Sequence, residues 1–520
     1  MQTDVSPGIG VTASTSAIHK LCGVVLISLS AATASVAGQV VDASPRATSR
    51  RSDEAASQPA ATQSQPGDAA TLTLEPPRDA AKPAETARKY RTSLAVSAKR
   101  ESEPPSYVRP VSELGLPQTQ GVDWLLMGIE HRSRFEIRDD DYRNALTRDS
   151  LFVMRSRAFV GIRDVLDPFR FGVEFQDSRE FGSQFPNSTR NVNEYDFLQA
   201  YAELFFKDAF GKDEPLRLMA GRMAMDYVDR RLRTRNGFRN TTNAFDGFRI
   251  VAGQQKADWE IDAFAVQPVV IDTEHLDRPD EERWLYGVAG AWRRWNDVIT
   301  LEPYYFVLDE DFKGWNAADI EIHAWGMHVF GPIGESGFDY DADVAFQYGR
   351  NRGQSHRAMA LHAELGYTFD VDWEPRLAAW INYATGDRAP GDGVNERFDS
   401  LFGSSTGFYG FNEFFTWQNT ISPSTELRVH PTKKMIVSLF YRTYWLASDQ
   451  DAWVRAGRID RTGHSGEFVG QEIDLILRYD LDKHISLEGG FGHFMPGGFV
   501  RNTGDSPDAD MFYLQTVIRL

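Results

Sequence analysis

The sequence predicts an all-β protein whose main part is a transmembrane antiparallel β-barrel of about 18 strands. Three observations predict it. Apolar and polar residues alternate with a period of two over segments of about ten to fourteen residues, which is the length of membrane-spanning strands. Charged residues occupy the polar face deep inside these segments. No long apolar run follows residue 40, and this excludes a membrane protein built of helices.

The first element, residues 1–37, has the pattern of a targeting segment. Lys20 precedes the apolar run 21–29, and small residues then continue to Ala37. A basic residue, an apolar core and a small-residue end predict a secretory signal peptide. The single cysteine of the chain, Cys22, excludes internal disulfides and metal sites built of cysteines.

The second element, residues 38–120, is rich in Ala, Ser, Thr and Pro. Every Trp and every Phe of the chain lies at or beyond Trp124. Such a segment buries too little apolar surface to offset its conformational entropy, so we expect a disordered tail on the periplasmic side. It would serve as a spacer or as a tether, and export partners in the periplasm are possible ligands for it.

The third element, residues 121–520, is the barrel. In its first predicted strand, 124–138, Met127 and Ile129 alternate with Glu130 and Arg132. Other strands with this alternation are 152–163, 169–176, 338–349 and the last one, 509–520. An even number of strands returns both ends of the barrel to the same side of the membrane.

The predicted inner face of the barrel is rich in arginine. Residues 121–520 contain 37 Arg and 7 Lys. Arginine suits carboxylates, because its planar fork makes two parallel hydrogen bonds. The expected pore-lining residues are Arg132, Arg134, Arg155, Arg157, Arg163, Arg170, Arg222, Arg249, Glu130 and Glu174. They would form a path for anions, or else a ladder of ion pairs that only stiffens the wall.

The net charge of the chain is −18. Residues 1–120 hold 12 Lys and Arg against 11 Asp and Glu, so residues 121–520 carry −18 − 1 = −19. This excludes a general nucleic-acid binder, which needs clustered positive charge. An anion path in so acidic a barrel requires the excess carboxylates to lie in outer loops, and we expect them at 139–141, 277–282 and 309–311.

Three groups of motifs resemble the alginate-export family of outer-membrane barrels. The first comprises Leu216–Arg222, 229–231 and 243–249, with a G-R strand followed by F-D-G-x-R. The second is the G-D-x-x-P-G-D-G…F-D-x-L-F pattern of 385–393 and 398–403. The third comprises 472–475, Tyr479 and 494–497. The resemblance covers most of residues 121–520.

The resemblance implies an 18-stranded barrel with an arginine-rich pore and long gating loops, and the member that names the family secretes alginate. It carries Arg222, Asp246 and Arg249 over as pore residues from the motif strands. It also supports Arg132, Arg134, Arg155 and Arg157 on the first two strands. The loop 385–403 is the expected gate.

Asp387, Asp392 and Asp399 lie in this expected gating loop among several glycines. Their carboxylates could bind Ca²⁺, but the spacing is not that of an EF-hand. We favour a system of tight turns that folds the loop over the pore mouth. We predict no cofactor and no metal site.

The predicted function is an outer-membrane channel that passes or exports an anionic solute, such as an acidic polysaccharide, or a small anion. Outer-membrane lipid would surround it. One alternative is a general or small-solute porin, and another is a plugged barrel with a structural or adhesive role. The motifs G-x-S-x-G and H-E-x-x-H are absent and the eleven His are scattered, so we do not expect an enzyme.

Overall fold

The computed structural model describes residues 93–94, 100–115, 117–254, 257–293, 298–311 and 319–520. The predicted signal peptide 1–37 and most of the predicted tail lie outside the described residues. Residues 100–115 and 117–120, which we assigned to the disordered tail, are folded here. The boundary expected at residue 121 therefore differs from the structure, because residues 100–107 find polar partners inside the barrel rather than in an apolar core of their own.

Eighteen long strands form the wall of the barrel among the described residues. They are β1 Leu125–Asp139, β2 Asp149–Ile162, β3 Phe169–Phe181, β4 Asn193–Gly211, β5 Glu214–Met223, β6 Phe245–Gly253, β7 Trp259–Val270, β8 Arg283–Trp292, β9 Thr300–Glu310, β10 Ile320–Pro332, β11 Phe338–Asn351, β12 Gln354–Thr368, β13 Arg376–Ala384, β14 Thr420–Thr432, β15 Met435–Trp445, β16 Phe468–Asp480, β17 Ile485–Pro496 and β18 Ala509–Arg519. The two-residue strands Arg109–Pro110, Arg278–Pro279 and Val394–Asn395 and the short helix α1, Gly498–Thr503, complete the regular structure together with three single turns of 3₁₀ helix.

Each strand of the wall pairs antiparallel with its neighbours in the chain, and β1 also pairs with β18. The closing register runs from Glu130 opposite Arg519 to Asp139 opposite Asp510. The sheet therefore has no free edge, as a membrane barrel requires. This closed barrel confirms the predicted fold class and strand number.

The two rims of the barrel differ in the length of their connections. Among the described residues, one rim has the short turns 163–168, 212–213, 333–337, 369–375, 433–434 and 481–484. The other rim has the tight turn 352–353 and the longer loops 140–148, 182–192, 224–244, 271–282, 385–419, 446–467 and 497–508. We call them the short-turn rim and the long-loop rim.

Side chains alternate between the two faces of the wall as the sequence predicts. On β1, Ile129 and Phe135 point outward and are exposed, whereas Glu130, Arg132 and Arg134 point inward and are buried. The outward face is apolar, as contact with lipid demands. None of the helices among the described residues is both long and apolar enough to span a membrane.

Two long loops fold back into the lumen and supply most of its packed interior. They are the β5–β6 loop, 224–244, and the β13–β14 loop, 385–419. Tyr227, Tyr409 and Trp417 on these loops are at most 1% exposed. Phe415 of the second loop stacks on Tyr444 of β15 with 3.7 Å between ring centroids. The apolar core thus lies inside the barrel.

The two loops are joined by backbone hydrogen bonds. The amide of Thr234 donates to the carbonyl of Phe402 over 3.1 Å, and the amide of Phe402 donates to the carbonyl of Leu232 over 3.0 Å. Gly403 lies beside this ladder, where a Cβ atom would stand 1.7 Å from the carbonyl oxygen of Arg231. Only glycine allows so close an approach, which explains the glycine that ends the second motif.

Candidate functional site

Four arginines stand side by side on the inner face of β1 and β2. Arg132 and Arg134 lie on β1, Arg155 and Arg157 lie on β2, and Arg132 is directly opposite Arg155 in the register. All four are less than 10% exposed. We call these four residues the arginine wall. Like charges directly opposite one another repel, so the arrangement needs compensating partners.

The partners of the arginine wall are mainly carbonyl oxygens of the β5–β6 loop. Arg132 donates to the carbonyls of Gly237, Phe238 and Arg239 over 2.8 to 3.1 Å. Arg155 also donates to Gly237 and Arg239, and Arg134 donates to Phe238 over 2.6 Å. A carbonyl satisfies a guanidinium donor but does not neutralise its charge. The wall therefore holds the loop and stays positive.

Few carboxylates offset this charge. Glu130 accepts from Arg155 over 3.1 Å and from Arg519 over 3.0 Å, and Arg157 lies 3.7 Å from it, so it is shared among three arginines. Glu136 likewise lies between Arg134 and Arg138. Each carboxylate near the arginine wall therefore serves more than one cation.

The strands β9, β11 and β12 carry the opposite charge on their inner face. Glu302, Asp341, Asp343 and Glu364 lie there, each less than 10% exposed, and we call these four residues the acidic wall. The expectation that the excess carboxylates lie in outer loops is wrong for this group. Buried carboxylates of this kind are tolerated where cations face them.

Histidine and arginine pair with three of the four carboxylates of the acidic wall. His328 of β10 contacts Glu302 with Nδ1 at 2.8 Å and Asp341 with Nε2 at 3.1 Å. Arg376 of β13 donates to Glu364 over 2.7 Å and also binds Asp339 and Glu426. Asp343 instead accepts the hydroxyl of Tyr304 over 2.8 Å. Ion pairs thus join neighbouring strands along the acidic wall.

One group among the described residues brings metal-ligating atoms together, namely Asp229, His328 and Asp341, whose ligand atoms lie within 4.8 Å. Both ring nitrogens of His328 already face carboxylates. That geometry suits the doubly protonated ring, which has no lone pair for a metal. The group fits an ion-pair cluster better than a metal centre.

Arg217 and Arg249 form a third feature of the lumen, close to the short-turn rim. Each binds a carboxylate of a neighbouring strand, Arg217 to Glu203 over 2.9 Å and Arg249 to Asp262 over 2.6 Å. Both also bind Glu103 of the folded N-terminal segment, over 3.1 Å and 2.7 Å. Burial alone would raise the pKa of Glu103, but the two guanidinium groups outweigh it and hold the pKa at about 2.

The β5–β6 loop adds three buried arginines at alternate positions, Arg231, Arg233 and Arg235. The guanidinium of Arg233 lies 3.6 Å from the ring centre of Phe245 and 4.5 Å from that of Phe264. None of its three nitrogens has a hydrogen-bond partner among the described residues. Burial lowers the pKa of Arg233 to about 9, so the group still carries its charge at neutral pH.

In the β13–β14 loop, the three predicted aspartates shape turns separately. Asp392 accepts from the amide of Val394 over 2.8 Å, and Asp399 accepts from that of Leu401 over 2.7 Å. The amide of Asp387 donates to Asp451 over 2.9 Å. These contacts fit the preferred turn system, and the three carboxylates do not gather at one point among the groups described.

Glu413 of the same loop is held by arginines from two outer loops. It accepts from Arg143 over 2.7 Å and from Arg190 over 2.6 Å, and it is 1% exposed. Burial would raise its pKa, but Arg190, Arg143 and Arg138 hold the pKa of Glu413 well below its usual range. The contact fastens the loop inside the long-loop rim.

The structure places most predicted pore residues on the inner face, including Arg170, Glu174 and Arg249. Arg163 lies just beyond β2 at the short-turn rim. Arg222 and Asp246 differ: they bind each other over 2.8 Å on the face that also carries the exposed residues Ala220 and Phe248. Their strands turn Met219, Met223 and Phe245 inward instead. The prediction that Arg222 and Asp246 line the lumen is therefore wrong. The alternation of inward and outward residues on these two strands is shifted by one residue from the predicted one.

Sequence reasoning missed Arg217, Arg233, Glu103 and Glu413. Arg217 lies two residues before Met219 on β5, so both side chains are on the same, inner face of the strand. Assigning the two faces of β5 correctly would have predicted Arg217 as a luminal residue. The alternation of Arg231, Arg233 and Arg235 was also visible in the sequence. Nothing local marks Glu103 or Glu413, because their partners are far away in the chain.

A family model described as alginate export matches residues 123–513. The chain is similar in fold to OccK8 (OprE) of Pseudomonas aeruginosa, with 12% identity, a TM-score of 0.52 and coverage of 76% of this chain and 98% of that one. The outer membrane protein OpdK of the same organism gives 12% identity and a TM-score of 0.53 with the same coverage. OccAB2 of Acinetobacter baumannii gives 11% identity and a TM-score of 0.53, again with 76% and 98% covered. No curated protein matches the chain.

Proposed function

Since the chain belongs to the alginate export family and is an outer-membrane channel, we propose that it passes an anionic solute along the inward arginines. The proposed solute is an acidic polysaccharide such as alginate. Family and fold are those of a channel rather than of an enzyme. The observation that carries the proposal is the bonding of the arginine wall to carbonyls, which leaves its positive charge inside the barrel.

The mechanism follows from the chemistry of the guanidinium group. A carboxylate that enters the lumen loses water, and an arginine fork replaces that water with two hydrogen bonds. Arg132 and Arg155 stand in register on adjacent strands, so their two positive charges attract a carboxylate to the same part of the lumen. Each contact has to be weak and repeated, because a tightly bound chain would not leave.

The proposed orientation places the short-turn rim in the periplasm. Short turns face the periplasm in outer-membrane barrels, and longer loops face outward. Residues 100–110 and the last strand, β18, both end at the short-turn rim of β1. The N-terminal tail would therefore lie in the periplasm, where export partners could reach it.

The test is ion preference in planar lipid bilayers under a salt gradient. The wild-type channel should prefer anions, and the double substitution Arg132→Gln with Arg155→Gln should weaken that preference. The matched control is Arg222→Gln with Arg357→Gln, which removes two arginines from outside the lumen. Cation preference in the wild type, or equal loss in both variants, would contradict the proposed path.

Two alternatives give other results in the same bilayers. A general or small-solute porin would conduct anions without being blocked by oligogalacturonate. A plugged barrel with a structural role would not conduct, and the two inward loops are the feature that favours it. Block of single-channel current by an oligouronate, but not by a neutral oligosaccharide of equal length, supports a polyanion as the solute.

A further inference from the structure

The N-terminal segment 100–107 crosses the lumen from the acidic wall towards the arginine wall. Arg100 donates to Glu302 of β9 over 3.0 Å, and the amide of Glu101 donates to Asp226 over 3.1 Å. At the other end, the hydroxyl of Tyr107 donates to Glu174 of β3 over 2.5 Å. The segment thus lies inside the passage that a solute would follow.

The segment fits closely where it meets the wall. Tyr107 is 3% exposed, and a Cβ atom on Gly128 of β1 would stand 2.5 Å from the carbonyl oxygen of Tyr107. Arg109 and Pro110 then pair with Met127 and Leu126 as a short added strand. The glycine makes room for the segment, so this docking is a built feature of the barrel.

Glu103 is the central contact of the segment. Its two carboxylate oxygens divide between Arg249 and Arg217, one oxygen to each. Both arginines already have a wall carboxylate, Asp262 for Arg249 and Glu203 for Arg217. The wall therefore does not need Glu103 to pair its arginines, and the geometry is that of a carboxylate received by a two-arginine site.

We propose that Arg217 and Arg249 are a binding site for solute carboxylates, and that residues 100–107 are a displaceable plug whose Glu103 occupies this site in the closed channel. The proposal rests on the proposed function, since it assigns the solute the same chemistry. A uronate residue carries the carboxylate that Glu103 supplies here. Passage then requires the solute to take the place of the plug.

The tether explains why a polymer would open the channel better than a monomer. A ligand on a short tether has an effective concentration on the order of millimolar, so a single free carboxylate competes poorly with Glu103. A polyuronate presents many carboxylates on one chain and also gains contacts with other luminal arginines.

The test compares Glu103→Gln with Glu113→Gln in the full-length protein. Glu113 lies in the same N-terminal region, is exposed and has no bonded partner in the described structure, so its variant loses the same charge without touching the site. Glu103→Gln should raise the single-channel conductance at least about twofold. It should also lower the oligogalacturonate concentration for half-maximal block by about tenfold, the effect of one charge-assisted hydrogen bond. Glu113→Gln should behave as wild type.

A second measurement, the rate of trypsin cleavage, tests whether the plug leaves its site. Trypsin cleavage after Arg100 should be slow in the wild type in detergent, because Arg100 is bound to Glu302 inside the barrel. Oligogalacturonate should speed this cleavage at least about threefold, whereas galacturonate monomer at equal carboxylate concentration should not. Folding of each variant is checked by its slower migration in unheated gels.

The outcomes separate the two proposals. If wild type and Glu103→Gln both lack anion preference, the proposed function fails. If the wild type prefers anions but Glu103→Gln matches Glu113→Gln in conductance and oligogalacturonate leaves trypsin cleavage unchanged, the plug alone is overturned. Increased conductance in Glu103→Gln with faster cleavage of the wild type by oligogalacturonate supports both.

Discussion

The arginine wall and the acidic wall are both buried and charged, but they meet the demand for partners in different ways. Arg132, Arg134 and Arg155 donate to backbone carbonyls of the β5–β6 loop. Glu302 and Glu364 instead face His328 and Arg376. Carbonyl partners satisfy hydrogen bonds without cancelling charge, whereas ionic partners do both. The first wall is thereby an electropositive surface with a loop fastened to it, and the second is a brace of ion pairs between strands.

The number of charged residues on a wall therefore does not decide its electrostatic field. The chain carries a net charge of −18, yet Asp341 and Glu364 of the acidic wall are paired with cations within the barrel. What a passing solute meets depends on which charges remain unpaired. An acidic protein can therefore hold an anion path, provided that its unmatched carboxylates lie away from that path.

The largest effect is expected from removing the central cation of the acidic wall. Arg376→Met would leave Asp339, Glu364 and Glu426 buried without it. Loss of one partner from a buried charge cluster costs about 3–5 kcal/mol. The measurement is the guanidinium chloride midpoint of unfolding from lipid vesicles.

The matching change on the arginine wall should cost less. Arg134→Met removes a bond to the carbonyl of Phe238, while Glu136 keeps Arg138 as a partner. We expect a loss of about 1–3 kcal/mol. Arg352→Met, in an exposed turn, serves as the control and should lie within about 0.5 kcal/mol of wild type. Equal losses in Arg376→Met and Arg134→Met would remove the distinction between the two walls.

A smaller effect separates the charge of the arginine wall from its hold on the loop. Arg132→Lys keeps the positive charge but cannot reach the three carbonyls with a rigid fork. We expect unchanged anion preference but noisier single-channel current, because segment 237–240 loses bonds worth about 1.5–3 kcal/mol each. Arg132→Gln should lose both properties. Loss of anion preference in Arg132→Lys would show that the loop position, and not the charge, sets selectivity.

The barrel could be predicted from the sequence because its determinants are local. The alternation of Ile129 with Glu130 and of Phe135 with Glu136 directly indicates which residues face outward and which face inward. The pattern is regular because every outward residue has to be compatible with lipid. The phase failed only near Arg222, where both faces carry polar residues and the alternation is weak.

The lumen could be predicted only in part, because its contacts join distant segments. Arg132 meets Gly237 and Glu103 meets Arg249, pairs far apart in the chain that no local pattern announces. The same holds for the acidic wall, whose carboxylates alternate along β11 like any polar face. Whether an inward charge is paired or free depends on where the loops lie, and the amino-acid composition does not predict the position of the loops.

The smallest effect concerns pH, and it tests how firmly a carboxylate is held between two arginine forks. Desolvation alone would raise the pKa of Glu103, but Arg249 and Arg217 hold the pKa at about 2. A depressed pKa stabilises the bound state above the ordinary value for Glu, about 4.3, and this contribution is lost as the pH falls towards 2. Glu103 should therefore remain ionised and in place at pH 4. The conductance of Glu103→Gln divided by that of the wild type should accordingly be the same at pH 7 and at pH 4. A ratio that falls to half with a midpoint near pH 4.3 would mean that the carboxylate titrates like a free one, and that the two arginines do not hold it.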